Sequence, residues 1–298
     1  MSIDYVLQQI INGLILGSMY AMVAIGFSMI YGIIRLINFA HGDVVMIGAF
    51  CTLALLQVVG APFLLAALVV LTAGAVVGIL IEKAAFRPMR GAPQVTGFIA
   101  SLAVSIMLQN LGVIFLTAQP RNFTFPEYLQ KVIHVAGVSF RVVDLVIFLS
   151  SLVMMCALIL LVNKTRLGMA MRATAENIDV ARLMGININR TIMATFAIGS
   201  ALAAIAGLMW GGKFGQIDPL LGFVPGLKSF VAAVIGGVGS IPGAILGGFV
   251  LGLAEVLFVG LLPPIYSAFR DAFVFSTLIL ILLILPNGIL GKNPEERS

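Results

Sequence analysis

Charge, histidine, cysteine and tryptophan are all scarce in this chain. Charged residues make up 10% of its 298 positions, where a soluble globular domain carries about a quarter. So little charge cannot clothe a water-facing surface, which excludes a soluble protein and leaves little room for a separate soluble domain. The two cysteines, Cys51 and Cys156, both fall in apolar runs. They offer neither a disulfide framework nor a metal-ligand spacing and read as small buried hydrophobes. The two histidines, His41 and His134, are too few for most metal and acid–base constellations. Neither H-E-x-x-H nor G-x-S-x-G occurs. Gly207 to Lys213 spells G-x-x-x-x-G-K, but Phe214 stands where a phosphate loop needs Ser or Thr for Mg²⁺, and an apolar run precedes it instead of a strand. An enzyme is therefore a poor reading: no catalytic residue, metal ligand, cofactor or nucleic-acid partner is expected, and any ATP would be handled by another subunit. The N-terminal MSIDYVLQQ has no basic residue before the first apolar run, so it is read as a retained first span and not a secretory signal.

Apolar residues are what the chain has in excess, at 61% with a mean hydropathy of +1.14. Within lipid a helix satisfies its own backbone polar groups, and the apolar runs are continuous, not short and alternating as in a membrane barrel. The expected fold is an all-α polytopic membrane bundle of about eight to nine spans, forming one transmembrane domain over residues 1–298, with lipid around it. Spans are read at about 7–33, 39–59, 61–81, 95–117, 142–162 and 191–210. A seventh starts at Ser229 and stops near the glycine-rich break Gly236–Gly243, an eighth covers about 244–262, and the last covers about 272–285. The break could also be re-entrant or unwound.

One long polar stretch interrupts the second half, from Lys164 to Arg190. A basic loop between spans is cytoplasmic by the positive-inside rule. Alternating from it puts Arg35, Lys83, Arg87, Arg90, Lys164, Arg166, Arg172, Arg182, Arg190, Lys292 and Arg297 inside, 11 of the 17 basic residues. The N-terminus is then outside, the C-terminus inside and the span count odd. Within the loop, Ile178, Ala181, Leu183 and Met184 fit one apolar side of a short docking helix that Gly185 ends.

Three further features divide between bland and functional readings. Asn38, His41 and Asp43 stand at the mouth of the second span, either as an interfacial turn with Asn38 and Asp43 capping a helix, or on a solute path. Gly239, Gly243, Gly247, Gly248 and Gly252 form a small-residue stripe suited to close helix packing. The break at Gly236, Gly237 and Gly239 could instead expose backbone groups to a solute, as transporters do with half-helix ends. Glu255 is the one acid read as lying well inside a span.

Gly17-Ser-Met-Tyr-Ala21 leading to Gly26, Ile37-Asn-Phe-Ala-His-Gly-Asp43, and Thr165 to Ala173 with Glu176-Asn177 and Ala181 to Gly185 resemble the permease subunits of bacterial ABC importers of the branched-chain amino acid type, the LivH-like permeases. Similarity covers nearly the whole chain. Such importers carry an E-A-A-x-x-x-G coupling motif, and Asp179, Ala181 and Gly185 fall on it, with Asp for Glu and Val180 for Ala. The downstream part of that motif is not recognisable, which leaves the boundaries of the coupling helix open. The resemblance implies a coupling loop at about 164–190 using Arg172, Glu176, Asn177, Asp179, Ala181, Arg182 and Gly185. It also implies a second permease subunit, two cytoplasmic ATPase subunits and a periplasmic binding protein at a bacterial inner membrane. The implied cargo is a branched-chain or other small amino acid, with urea or a short amide as the alternative. A self-contained ion-coupled transporter would favour buried ionisable pairs, and the sequence offers only Glu255. The translocation path is expected to use Asn38, His41, Asp43, Gly236, Gly237, Gly239 and Glu255.

Overall fold

The computed structural model describes residues 2–116, 118–135 and 137–291. Lys292 and Arg297 of the orientation count lie outside the described residues, as does Thr117 at the expected end of the fourth span. The helices are α1 (Ile3–Ile34), α2 (Ala40–Leu53), α3 (Phe63–Ile81), α4 (Gln94–Phe115), the short α5 (Glu127–Gln130), α6 (Val142–Lys164), α7 (Arg166–Glu176), α8 (Ile178–Leu183), α9 (Ile188–Phe214), α10 (Phe223–Gly236), α11 (Ile241–Leu261) and α12 (Arg270–Ile284). π-helical turns at Ala54–Val58 and Glu82–Phe86 continue α2 and α3, and a 3₁₀ turn at Pro264–Phe269 leads into α12. Among the described residues, eight helical stretches are long and apolar enough to cross a membrane. The protein is a multi-pass all-α membrane bundle.

Small residues set how its helices meet. On α1, Gly17 lies against Phe249 and Gly248, while on α11, Gly248 lies against Ala21 and Gly252 against Gly17. The other side of α11 faces α10, with Gly243 against Gly236 and Gly247 against Ala232. Gly74 and Gly78 of α3 likewise receive Ala204, Ser200 and Phe196 of α9. An added Cβ at these positions would strike backbone atoms, so the glycine stripe is a packing device.

The two ends of the bundle differ. At one end, β2 (Val132–Val135) and β3 (Val138–Arg141) form a hairpin turning at Gly137, whose φ is +81°. The Ser139 backbone N–H donates to Gln8 near the start of α1 at 2.9 Å. A second small ribbon pairs β1 (Arg121–Asn122) with β4 (Gln216–Ile217) just after α9. At the opposite, basic end, α1 stops at Arg35 (φ +53°) and Gly32 packs on Gly239 of the α10–α11 break. There Glu82, fully buried, accepts from Arg87 at 2.7 Å and from Arg90. Arg90 also donates to Asn189 at the start of α9, which pins the α3–α4 link to that helix.

The expected seventh span is corrected. The helix expected to start at Ser229 already begins at Phe223; Pro225 falls in its first turn, where its missing N–H costs no helix bond. The helix ends at Gly236, so α10 has 14 residues and is about 21 Å long, too short for a hydrocarbon core of about 30 Å. Its start lies beside Ser105, half way along α4: Gly222, Phe223, Gly226, Gly42, Asp43 and Ser105 line one small cavity. The stretch before it, a strand at Gln216–Ile217 followed by turns, comes from the hairpin end, where Ile217 pairs with Arg121 and Pro219 packs on Gly112. Residues 215–236 thus run from the hairpin end to the α10–α11 break, non-helical at first and helical from Phe223.

Candidate functional site

The half-length α10 and the late start of α2 together build a polar layer inside the bundle. The backbone from Arg35 to Phe39 turns back along α1 before α2 begins, so α2 starts at depth. Gly42 packs on Gly222 and Gly226, which brings the N-terminal ends of α2 and α10 together. Asn38, His41 and Asp43 are all at most 1% exposed. The His41 ring lies over Gly26, where a Cβ would come within 2.2 Å of Nε2, and meets Phe27 edge-on at 4.8 Å. Neither Asn38 nor Asp43 makes the helix cap expected of it. Phe39 holds the N-cap position of α2 without a side-chain bond, and Asp43 instead accepts from Gln109 of α4 at 2.9 Å. Both amide atoms of Asn38, both ring nitrogens of His41 and Oδ2 of Asp43 lack a hydrogen bond among the described residues. Buried polar atoms left unpaired are costly. Phe27, Phe39, Phe223 and Phe230 close the cavity beside this layer to about 20 Å³, room for about one water.

Toward the basic end a cavity of about 460 Å³ opens. Its wall joins two groups that were read separately in the sequence: Arg172 and Glu176 of α7, and Gly239 and Ser240 of the α10–α11 break, with Tyr31 and Arg35 between them. Gly239 (φ +89°) therefore does line a cavity. Gly236 and Gly237 do not; Gly236 packs on Gly243, and Gly237 (φ +107°) turns the chain against Leu290 and Gly291.

The basic loop is two helices with defined joints. Thr165 caps α7 by accepting from the Gly168 N–H at 3.1 Å, and Arg172 donates to the Val162 carbonyl, which fixes α7 across the end of α6. Asn177 caps α8, accepting from Asp179 and Val180 at 2.9 and 3.1 Å. At its far end Gly185 takes φ +81°, with Gly185 N–H bonded to Arg182 and Ile186 N–H to Ala181, a Schellman ending. The expected single apolar side is corrected: Ala181 is buried and Ile178 half-buried, but Leu183 and Met184 are 87% and 79% exposed. A six-residue helix has under two turns, so residues 178 and 181 take the inward face and 183 and 184 the outward one. Asp179 and Arg182 face each other in the open at 3.8 Å.

Glu255 belongs to a network that sequence reading missed. Fully buried on α11, it accepts from Tyr20 Oη at 2.9 Å, from Lys228 Nζ at 2.8 Å and from Arg270. Lys228 also bonds Asp271 at 2.7 Å. The expected spans leave Lys228 just before the seventh and Arg270 just before the last. The sign available was a lone lysine inside the apolar run from Phe223 to Gly236. Buried ionisable pairs are therefore present, and their supposed absence is no argument against ion coupling. Toward the hairpin end this network faces a cavity of about 530 Å³, walled also by Trp210 and Phe214.

Comparison with known proteins bears on what such an arrangement serves. The family model of the branched-chain amino acid transport system, permease component, matches residues 9–285. The high-affinity branched-chain amino acid transport system permease protein BraD of Pseudomonas aeruginosa is 41% identical, with 99% of each chain covered. The permease protein LivH of the corresponding system in Escherichia coli K12 is 41% identical over 98% of each. A probable branched-chain amino acid transport permease protein LivH of Methanocaldococcus jannaschii is 32% identical over 94% of this chain and 91% of its own. No solved structure matches the chain. With the match running through all the membrane helices that carry the polar layer, the chain belongs to the family of branched-chain amino acid transport permease components, and so to transport subunits and not to enzymes.

Proposed function

We propose that this chain is the permease subunit of an ATP-driven importer. It moves branched-chain or other small amino acids, delivered by a periplasmic binding protein, across a bacterial inner membrane. It works with a second permease subunit and two cytoplasmic ATPase subunits. The basic end is cytoplasmic, which leaves the N-terminus outside and the C-terminus inside; nine of the described basic residues in loops at that end, from Arg35 to Arg190, support this.

The observation that carries the reading is the α7–α8 pair. Arg172 ties it to the end of α6, and the Asn177 cap and Gly185 turn set the ends of α8, yet it offers Val180, Leu183 and Met184 to the surface, 54%, 87% and 79% exposed. Apolar groups on a rigid, water-side helix fit the groove of a partner. Asp179, Ala181 and Gly185 are the coupling positions, Arg182 flanks the contact, and Glu176 faces the inner cavity. ATP-driven motion of the partner is thereby passed to the α10–α11 break at Gly239 and to the polar layer at Asn38, His41 and Asp43. The named relatives support amino acids over urea or amides as cargo.

The test is a Leu183→Ser/Met184→Ser double variant, purified from its own membranes beside Gly185→Ala. The left-handed turn at Gly185 costs a side chain about 1–2 kcal/mol, while open space around it leaves no clash. Both variants should accumulate normally, lose co-purifying ATPases at least several-fold and lose uptake in proportion. Full ATPase recovery with normal uptake in both would overturn the coupling assignment.

A further inference from the structure

The cavity of about 530 Å³ at the hairpin end has the size of a small-ligand site, and its wall has an unusual composition. One side is aromatic and aliphatic: Trp210 lies 5.6 Å from Tyr20 and 5.2 Å from Phe214, with Leu221 and Val224 beside them. The other side carries Lys228, Arg270, Asp271 and Asp218, charges of both signs within one pocket. Lys228 is the anchor. Its side chain is 4% exposed and its ammonium is shared between buried Glu255 at 2.8 Å and Asp271 at 2.7 Å. Asp271 differs from its partners, for its side chain is 60% exposed on the first turn of α12. Asp218 is held to the wall by the Leu220 N–H at 2.8 Å.

We propose that this cavity is the outer receiving site for a free amino acid, bound as its zwitterion in exchange for the Lys228–Asp271 bond. The α-carboxylate takes the place of Asp271 on Lys228 and reaches Arg270. The α-ammonium takes the freed Asp271 and Asp218, and the aliphatic side chain lies on Trp210 and Phe214. The physical reason is pairing. When the Lys228–Asp271 bond opens, Lys228 keeps Glu255 but loses one of its two charge-assisted bonds. A zwitterion inserted into that bond supplies one anion and one cation, so each charge stays paired. A carboxylate without an ammonium leaves Asp271 to water alone, and an amine without a carboxylate leaves Lys228 one charge-assisted bond short. An uncharged amide such as urea satisfies neither. The inference deepens the importer reading and rests on it for the class of ligand.

Trp210 is the single tryptophan of the chain and lines the cavity, so its emission reports occupancy directly. The full chain in lipid nanodiscs is titrated with L-leucine, L-leucinamide, 4-methylpentanoate and urea. Leucine should give a saturable change in emission, and the two analogues should bind roughly tenfold or more weakly, the effect of losing one charge-assisted bond. Urea should give no change. Asp271→Asn, which keeps the shape of an exposed side chain, should weaken leucine at least tenfold and lower leucine uptake by the complete complex. Equal responses to leucine and its analogues, no response to leucine, or an unaltered Asp271→Asn would each overturn the site. The analogue series uses the unmodified chain, so the outcome does not depend on how a variant folds. ATP-dependent uptake by the unmodified complex is measured alongside. Uptake that persists without a Trp210 response removes this site and leaves the importer reading standing, whereas uptake that needs no ATPase removes the importer reading itself.

Discussion

The ion network around Glu255 makes a quantitative prediction about stability. Lys228→Met and Glu255→Gln each change the network by one charge in opposite senses, and together they restore neutrality. Neither single change strands its neighbour completely. Without Lys228, Glu255 keeps Tyr20 and Arg270, and without the Glu255 charge, Lys228 keeps Asp271. The cost of each single variant should therefore fall below the ~3–5 kcal/mol of an orphaned buried charge. About 2 kcal/mol is the value of one lost charge-assisted bond. Independent effects would sum to about 4 kcal/mol, but the double variant removes the imbalance and should cost only about 1–2, a coupling of about 2–3 kcal/mol. On the scale of about 2–4 °C per kcal/mol for chains of this order of size, each single variant should melt roughly 4–8 °C lower and the double no lower than either. The assay is thermal unfolding of the purified chain in lipid nanodiscs, read by the loss of monodisperse protein. Additivity of the two shifts to within about 0.5 kcal/mol would refute the claim that these charges act as one balanced unit.

Two further variants separate packing from function. Gly26→Ala would put a methyl within 2.2 Å of His41 Nε2 in a fully buried site, and overpacking of this kind costs about 1–3 kcal/mol. Most of that loss, followed by the same unfolding assay, should return when His41→Ala is added, and a double variant no more stable than Gly26→Ala would show that His41 is not what Gly26 makes room for. Gly236→Ala would set a Cβ 1.9 Å from the Gly243 carbonyl, where no rotamer change relieves it. Its cost should reach about 3 kcal/mol or more, so normal accumulation in membranes would count against the α10–α11 contact as drawn.

Length, composition and runs of apolar residues made the bundle readable from sequence, because membrane helices need only local hydropathy and length. Eight of the nine spans stand close to where those rules place them, and Gly248 and Gly252 are helix contacts as their spacing suggested. The seventh was misplaced because hydropathy does not show where a crossing becomes helical. The Pro225–Gly226 pair reads as a turn, yet it sits in a first helical turn packed against Gly42. Long-range ion pairs were illegible for another reason. Lys228 and Glu255 are 27 residues apart and Tyr20 and Glu255 are 235 apart, and no local pattern joins them. Asn38, His41 and Asp43 stand out in the sequence as polar groups in a membrane chain, but the caps expected of Asn38 and Asp43 do not form, since Asp43 turns instead to Gln109 on another helix. Asn177 was read as one coupling position among several, and the structure gives it a specific local task, the cap that separates α7 from α8.

The geometry also explains why a break should lie at Gly237 to Ser240 and not elsewhere. Val238, Gly239 and Ser240 share the inner cavity with Arg172 and Glu176, so a displacement of α7 relative to α1 changes the room available to the break. The break is the end of α10, and the start of α10 is packed on Gly42 at the head of α2. A 14-residue helix with both ends held by glycine contacts transmits movement along its axis with little loss, since its own hydrogen bonds resist stretching far more than its side contacts resist sliding. A full-length span would be anchored in lipid and in loops at both surfaces and would carry such a displacement past the midplane layer to the opposite surface. On the coupling route proposed above, the half-length helix would deliver it to the layer of Asn38, His41 and Asp43. Shortening α10 would then convert a motion at the basic surface into a motion at the depth where a solute would be admitted or held back.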